Sequence, residues 1–136
     1  MAITKLSGRQ EVIASQPVTI AWDTLSSDAA VAEAVFDIPA NAIIVGGGIV
    51  VDTAFNSTTS DVLDLGDGSD DDRYTPTPIN LQATGFTAWT VTGFKYTTAD
   101  TIDLEWTAGA ASTATAGSAR LWLEYIVDGR AAFSEG

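Results

Sequence analysis

Apolar and polar residues alternate along this chain at every second position, the spacing at which side chains return to the same face of a β-strand. The segment Thr101–Thr107 is the clearest case, because its apolar residues are separated by Asp103 and Glu105. Turn-forming Gly, Pro and Asn residues separate the further strand-like segments. These are Val18–Thr24, Ile43–Ala54, Asp61–Leu65, Pro78–Ala83, Phe86–Tyr96 and Arg120–Asp128. The pattern predicts an all-β fold, a single-domain jelly roll or β-sandwich of about eight strands.

The segment Ser27–Phe36 fits two structures. It is rich in alanine and could form a short helix, but it also has a strand-like alternation. As a strand it would place on one face Ala30, Ala32, Ala34, Phe36 and Ile38. We favour the strand.

The last strand-like segment, Arg120–Asp128, has two unequal faces. One face is apolar and consists of Leu121, Leu123, Tyr125 and Val127. The other face is mixed and carries Arg120, Trp122, Glu124, Ile126 and Asp128. Because large apolar groups share that second face with charges, we expect a partner protein to cover it.

The chain contains no Cys and no His among its 136 residues. Ser–His–Asp and Cys–His catalysis, disulfides and the usual zinc sites are therefore excluded. Gly46-Gly47-Gly48 is not a phosphate-binding loop, because apolar strand residues follow it instead of a helix N-terminus. We expect a β-bulge or a bend between sheets at these glycines. The prediction is a protein without enzymatic activity, catalytic residues or cofactor.

The charge is one-sided, with 18 acidic and 6 basic residues and a net charge of −12. Such a surface repels phosphate groups, so neither nucleic acid nor an anionic membrane is expected as a partner. The sequence shows no secretory signal and no run of about 20 apolar residues that could span a membrane. We expect the protein to be soluble and to stay where it is made unless something carries it out.

Carboxylates cluster in Asp61–Arg73, which holds six of the 18 acidic residues. They could bind Ca²⁺, but their spacing does not match the EF-hand series, and a solvated acidic turn partly neutralised by Arg73 explains them as well. We predict no obligatory metal site here. Asp103 and Glu105 could form a glycosidase pair, but on an alternating strand two solvent-facing acids are the simpler interpretation.

Four tryptophans, Trp22, Trp89, Trp106 and Trp122, could stack on sugars. Trp106 belongs to the apolar face of its strand, so we expect it in the core. Trp122 lies on the mixed face of the last strand and is the better candidate for a contact. Its expected partner is another protein surface rather than a glycan, because Trp is enriched in protein interfaces.

Three blocks of sequence resemble small virion proteins of tailed bacteriophages. They are FDIPANAIIVGGGIVVDTAFNS (Phe36–Ser57), DVLDLGDGSDDDRY (Asp61–Tyr74) and ARLWLEYIVDGR (Ala119–Arg130), together 48 of the 136 residues. Jelly-roll decoration, or cement, proteins of phage heads fit this resemblance best. The resemblance implies a homotrimer on the capsid exterior that binds the major capsid protein. It assigns no catalytic residue.

The resulting hypothesis is a virion protein of one β-domain, residues 11–136, preceded by an N-terminal arm, residues 1–10. Lys5 and Arg9 in the arm could tether it to an acidic capsid surface. The alternatives are another phage component, from the tail, neck or a fibre, and a carbohydrate-binding β-sandwich module. The latter would require an exposed aromatic platform.

Overall fold

A computed structural model describes residues 9–25, 31–109, 113–129 and 131–133 of the chain. These residues form eleven strands and no helix, so the described ranges contain no helix that could cross a membrane. The strands are β1 (Arg9–Gln10), β2 (Ile13–Ala14), β3 (Val18–Ala21), β4 (Glu33–Ile38), β5 (Ala42–Thr53), β6 (Asp61–Gly66), β7 (Ile79–Asn80), β8 (Gly85–Ala88), β9 (Asp100–Ala108), β10 (Ser118–Val127) and β11 (Ala131–Phe133).

Strands β3 to β10 form two antiparallel sheets that pack face to face. The first sheet has the order β3-β10-β5-β8, and the short β2 pairs with β10 on the same side as β3. The second sheet has the order β4-β9-β6-β7. Of these eight strands, the first pairs with the last, the second with the seventh, the third with the sixth and the fourth with the fifth. This is the pairing of a jelly roll, so the predicted fold is confirmed.

Alternation along the strands builds the core between the sheets. In β9, Ile102, Leu104 and Trp106 are buried, whereas the residues between them are partly exposed. The Trp106 ring meets Phe55 edge-on, with 5.2 Å between ring centroids. The largest fully buried side chains of the described residues are Trp106, Tyr74, Phe55, Ile38, Ile49, Leu63, Leu65, Leu81, Ile102, Leu104, Leu121 and Leu123. The expectation that Trp106 belongs to the core is confirmed.

The predicted strand Phe86–Tyr96 is wrong in most of its length. Strand β8 ends at Ala88, and Trp89 is only 5% exposed. Beyond it, Gly93 has a φ of 76°, which departs from the regular β conformation. The segment still joins the sandwich, because the Tyr96 amide donates to the Ala42 carbonyl at 2.9 Å.

The strand interpretation of Ser27–Phe36 is confirmed for the residues within β4, whereas residues 26–30 lie outside the described residues. Phe36 and Ile38 are buried as expected, but Ala34 is exposed. The pairing with β9 shifts register between Ala34 and Phe36, so Val35 is an extra residue that reverses the alternation.

The three glycines lie in the middle of β5, which stays in the first sheet along its whole length. A bend between sheets was therefore a wrong prediction. The alternative, a β-bulge, is correct to within one residue. Glu124 lies opposite Gly46 and Tyr125 opposite Ile44, so Val45 is the bulged residue.

Candidate docking surface

The outer face of the first sheet carries an aromatic pair. Trp122 of β10 lies opposite Gly48 of β5, and Phe86 of β8 lies opposite the next outward residue, Val50. The two rings are stacked, with 6.1 Å between centroids and 25° between planes. Phe86 is 61% exposed and Trp122 is partly exposed. We call these two residues the aromatic platform.

Glycines form the floor beneath the platform. A Cβ atom at Gly48 would come within 3.0 Å of Trp122 Cζ2 and closer still to the Phe86 ring, so both rings rest on the bare backbone. On the inner face, a Cβ at Gly47 would lie 2.7 Å from Trp89 Cδ2. Consecutive glycines thus admit aromatic rings on both faces of the same strand.

The charges on this face largely cancel. Arg120 donates to both carboxylate oxygens of Asp52, at 2.8 and 3.1 Å. This hydrogen-bonded pair lowers the pKa of Asp52 and raises the pKa of Arg120. Next to the platform, the Glu124 carboxylate lies over Gly46. The surface therefore combines exposed aromatic area with few uncompensated charges.

The outer face of the second sheet has the opposite character. Asp64 of β6 lies directly opposite Glu105 of β9, and Asp103 is on the same side of β9. Burial raises the pKa of Glu105, and the carboxylates of Asp71, Asp64 and Asp103 raise it further. Burial also raises the pKa of Asp64. Like charges opposite one another are unfavourable, so this face suits contact with water and its cations.

The sequence interpretation of Asp103 and Glu105 as surface acids agrees with their position. Both are partly exposed on the open face of a strand, and neither lines the groove between residues 74–80 and Thr87, Ala88 and Thr90. The Asp103 carboxylate accepts a hydrogen bond from Thr101 Oγ1 at 2.7 Å. A glycosidase requires a cleft that holds the sugar between its two acids, which this arrangement does not provide.

The acidic turn after β6 is organised by Asp67. This buried carboxylate accepts hydrogen bonds from Arg73 Nε at 2.5 Å, from Tyr96 Oη at 2.7 Å and from the Ser69 hydroxyl at 2.9 Å. Burial alone would raise the pKa of Asp67, but these donors outweigh it and hold the pKa far below its usual range. The Arg73 guanidinium also lies 3.6 Å from the centre of the Phe94 ring. The predicted neutralisation by Arg73 is therefore directed mainly at this buried acid, with a longer ion pair to Asp70 at 3.8 Å.

The remaining acids of the turn form a small exposed group. Carboxylate oxygens of Asp70, Asp71 and Asp72 lie within 4.8 Å of one another. A hydrogen bond with Asp70 and the neighbouring negative charges raise the pKa of Asp72. Such a group attracts cations in general, but nothing else in the described residues indicates a specific ion.

Asp61, at the start of β6, is a buried acid that sequence reasoning did not single out. Its oxygens accept hydrogen bonds from Trp106 Nε1 at 2.9 Å, Gln82 Nε2 at 2.9 Å and the Ser57 amide at 2.8 Å. Burial alone would raise its pKa, but the donors lower the pKa below the ordinary value. Asp61 has a structural role, since it fixes the indole of the core residue Trp106.

The other sequence candidates are dispersed. Trp89 is buried, with its ring 5.7 Å from that of Tyr74, whereas Trp22 is 37% exposed at the end of β3. Of the four tryptophans, only Trp122 forms part of the platform. Its partner ring, Phe86, was missed because it is 36 residues away in sequence and neighbours Trp122 only through Gly48.

Chains from solved phage capsids have a similar fold. A chain in the capsid asymmetric unit of cyanophage Pam1 has a TM-score of 0.64 and 22% identity, covering 93% of this chain and 92% of that one. A chain in the acidic stable capsid structure of Helicobacter pylori bacteriophage KHP30 has a TM-score of 0.60 and 10% identity, covering 87% of this chain and 93% of that one. No protein-family model and no curated protein matches the sequence. What these capsid chains and this protein share is a jelly-roll fold over nearly their whole lengths.

Proposed function

We propose that the protein is a non-catalytic structural component of a bacteriophage head, and specifically a decoration, or cement, protein. In this proposal it is made in the cytoplasm of the bacterial host and binds the assembled major capsid protein from outside, as a homotrimer. The observation that carries the proposal is the contrast between the two outer faces of the jelly roll. Support comes from the similar, equally small chains in two phage capsid structures.

The aromatic platform is the face that would contact the capsid. Burying a large apolar side chain contributes about 1.5–3 kcal/mol, so covering Phe86 and Trp122 would contribute a few kcal/mol per subunit before association costs. Three such contacts on a lattice reinforce one another, because the second and third bind at high effective concentration. Free capsid subunits lack that spacing and would be bound far more weakly.

The acidic face would remain in water. Many copies on one shell, each with a net charge of −12, repel one another least when their unpaired acids face solvent. The same charge disfavours docking in the inverted orientation. The contrast between the faces would therefore determine which side of the sandwich meets the capsid.

The N-terminal arm, residues 1–10, is a second proposed contact. Lys5 and Arg9 give it positive charge, although residues 1–8 lie outside the described residues. Its last two residues form β1, which pairs with β11, so both ends of the described chain run side by side. In this proposed division of the chain, residues 11–136 form the jelly-roll domain.

We assign no catalytic, cofactor-binding or metal-binding residue. The chain has no Cys or His, and Asp103 and Glu105 lie on an open strand face rather than in a cleft. A reproducible hydrolase activity lost on Asp103→Ala or Glu105→Ala would contradict this assignment.

The test combines mass and co-sedimentation. Light scattering should give the mass of a trimer. The protein should co-sediment with phage heads that lack this protein, but not with free capsid subunits. Phe86→Thr and Trp122→Thr should weaken binding to heads. Val31→Thr is a matched control, because Val31 is 38% exposed but lies before β4 of the second sheet. A stable monomer that ignores the heads would refute the proposal.

The platform also supports a second candidate, a carbohydrate-binding module. Two flat rings beside charged groups are the arrangement that stacks on sugars. Saturable binding of an oligosaccharide that Trp122→Thr abolishes, with no binding to heads, would favour this function. Binding to purified tails instead of heads would favour a tail, neck or fibre component.

A further inference from the structure

Strand β8 is an edge of the first sheet and pairs only with β5 among the described strands. All four of its residues, Gly85–Ala88, are exposed. The ladder to β5 has no register shift, so the strand is regular. An exposed regular edge offers unpaired backbone groups to another strand.

The hydrogen-bond pattern shows which backbone groups are available. The Trp89 amide donates to the Gly47 carbonyl at 3.1 Å, while Ala88 lies opposite Gly48. In an antiparallel ladder this places Ala88, and therefore Phe86, at positions that do not bond to β5. Their amide and carbonyl groups point to the open side of β8.

The other edges of the two sandwich sheets are protected. The edge formed by β2 and β3 is interrupted between them and contains Pro17, and β7 has only two residues and follows Pro78. Strand β4 carries Glu33 and Asp37 and a bulge. These are the features by which proteins block pairing at an edge. Strand β8 has no charge, proline or bulge.

A groove runs along the open side of β8. It has a volume of about 270 Å³ and is lined by Thr87 and Ala88 of β8 and, across from them, by the segment of residues 74–80. The lining residues include no charged side chain. An extended peptide with small or apolar side chains fits such a surface better than an acidic one.

We infer that β8 is a strand-addition site for an extended segment of the capsid protein, which pairs with the backbone of Phe86 and Ala88. The inference rests on the proposed function. A second copy of this protein is the poorer occupant. Two β8 strands paired with each other form a two-fold dimer, which cannot close a trimer. The added strand would lie beside Phe86 and extend the platform.

The test measures amide exchange and binding with the full-length protein. Hydrogen–deuterium exchange of the peptide containing β8 should be fast in the free protein and slow on heads. Ala88→Pro removes an outward amide and keeps the ladder to β5, so it should weaken head binding by about tenfold or more. Val31→Thr, before β4 of the second sheet, leaves this edge intact and should bind as the wild type does. Thermal melts confirm that both variants are folded.

The outcomes separate the two proposals. If the wild type binds heads but β8 gains no protection and Ala88→Pro binds equally, the strand-addition site is refuted and the decoration function stands. If β8 is already protected in the free protein and Ala88→Pro reduces its mass, a second copy occupies the edge and the inference is wrong. If neither the wild type nor Val31→Thr binds heads, the proposed function fails. Should Ala88→Pro not fold, the exchange data on the wild type decide.

Discussion

Alanine at Gly47 and alanine at Gly48 should have opposite consequences, although the two glycines are neighbours in β5. At Gly47 the new Cβ would lie 2.7 Å from Trp89 Cδ2 and 3.0 Å from the Trp122 carbonyl oxygen. Trp89 is 5% exposed and the carbonyl belongs to the backbone, so neither can move freely. At Gly48 the obstacle is the ring of Phe86, which is 61% exposed and can rotate into solvent.

The magnitudes follow from these surroundings. Overpacking a well-packed interior costs about 1–3 kcal/mol, and alanine regains about 0.5–1 kcal/mol over glycine within a strand. Gly47→Ala should therefore lower the free energy of unfolding by about 0.5–2 kcal/mol and Tm by roughly 2–8 °C. Gly48→Ala should change Tm by no more than about 3 °C, because the lost ring contact and the backbone gain nearly cancel. It should nevertheless weaken head binding, since it displaces Phe86 from the platform.

Calorimetry and urea denaturation of both variants, followed by co-sedimentation with heads, measure these effects. The expected result is a protein with reduced stability for Gly47→Ala and a stable protein with reduced binding for Gly48→Ala. A Gly48→Ala protein that melts well below Gly47→Ala would show that the assignment of inner and outer faces is wrong. Unchanged melting of Gly47→Ala would show that Trp89 does not pack on this strand.

Three further predictions concern the acids. Asp61→Ala leaves buried donors without an acceptor and should cost about 3 kcal/mol or more in urea denaturation; a loss below about 1 kcal/mol would contradict the network. The lowered pKa values of Asp61 and Asp67 stabilise the fold above about pH 4, and that stabilisation is lost on further acidification. The raised pKa of Glu105 has the opposite effect, because its protonation stabilises the fold as the pH falls. Tm should therefore rise slightly from pH 7 to about pH 5 and fall below about pH 4; a continuous rise to pH 2 would refute this. Calcium should raise Tm by no more than about 2 °C and a chelator should not lower it; a larger, chelator-sensitive rise would identify an ion site at residues 70–72.

Local periodicity was sufficient to predict the strands that form the core. Strand β9 alternates strictly, and the structure buries its predicted face, including Trp106. In β10 the structure buries Leu121 and Leu123, whereas the later residues of the predicted face are only partly buried. Their mixed or charged residues lie outside, as the pattern indicated. Strands β1, β2 and β11 have two or three residues each, too few for a period to show. Their pairing depends on partners far away in sequence.

The failures of the sequence prediction have non-local causes. Phe86–Tyr96 continues a strand-like composition, but Trp89 is drawn inward by the space above Gly47, about 40 residues earlier. Asp61 was grouped with the exposed acids, although its donors come from positions 57, 82 and 106. No local pattern marks a carboxylate for burial when its donors are this dispersed.

The glycine triplet connects these failures with the candidate docking surface. A side chain at Gly47 would exclude Trp89 from the core, and a side chain at Gly48 would displace Phe86 from the platform. Phe86 lies within β8 and Trp89 directly follows it, so the same glycines fix where the exposed edge begins to turn inward. Substitution at one position of the triplet should therefore affect the core, and at the next position only the surface. That separation allows the docking hypothesis to be tested without unfolding the protein.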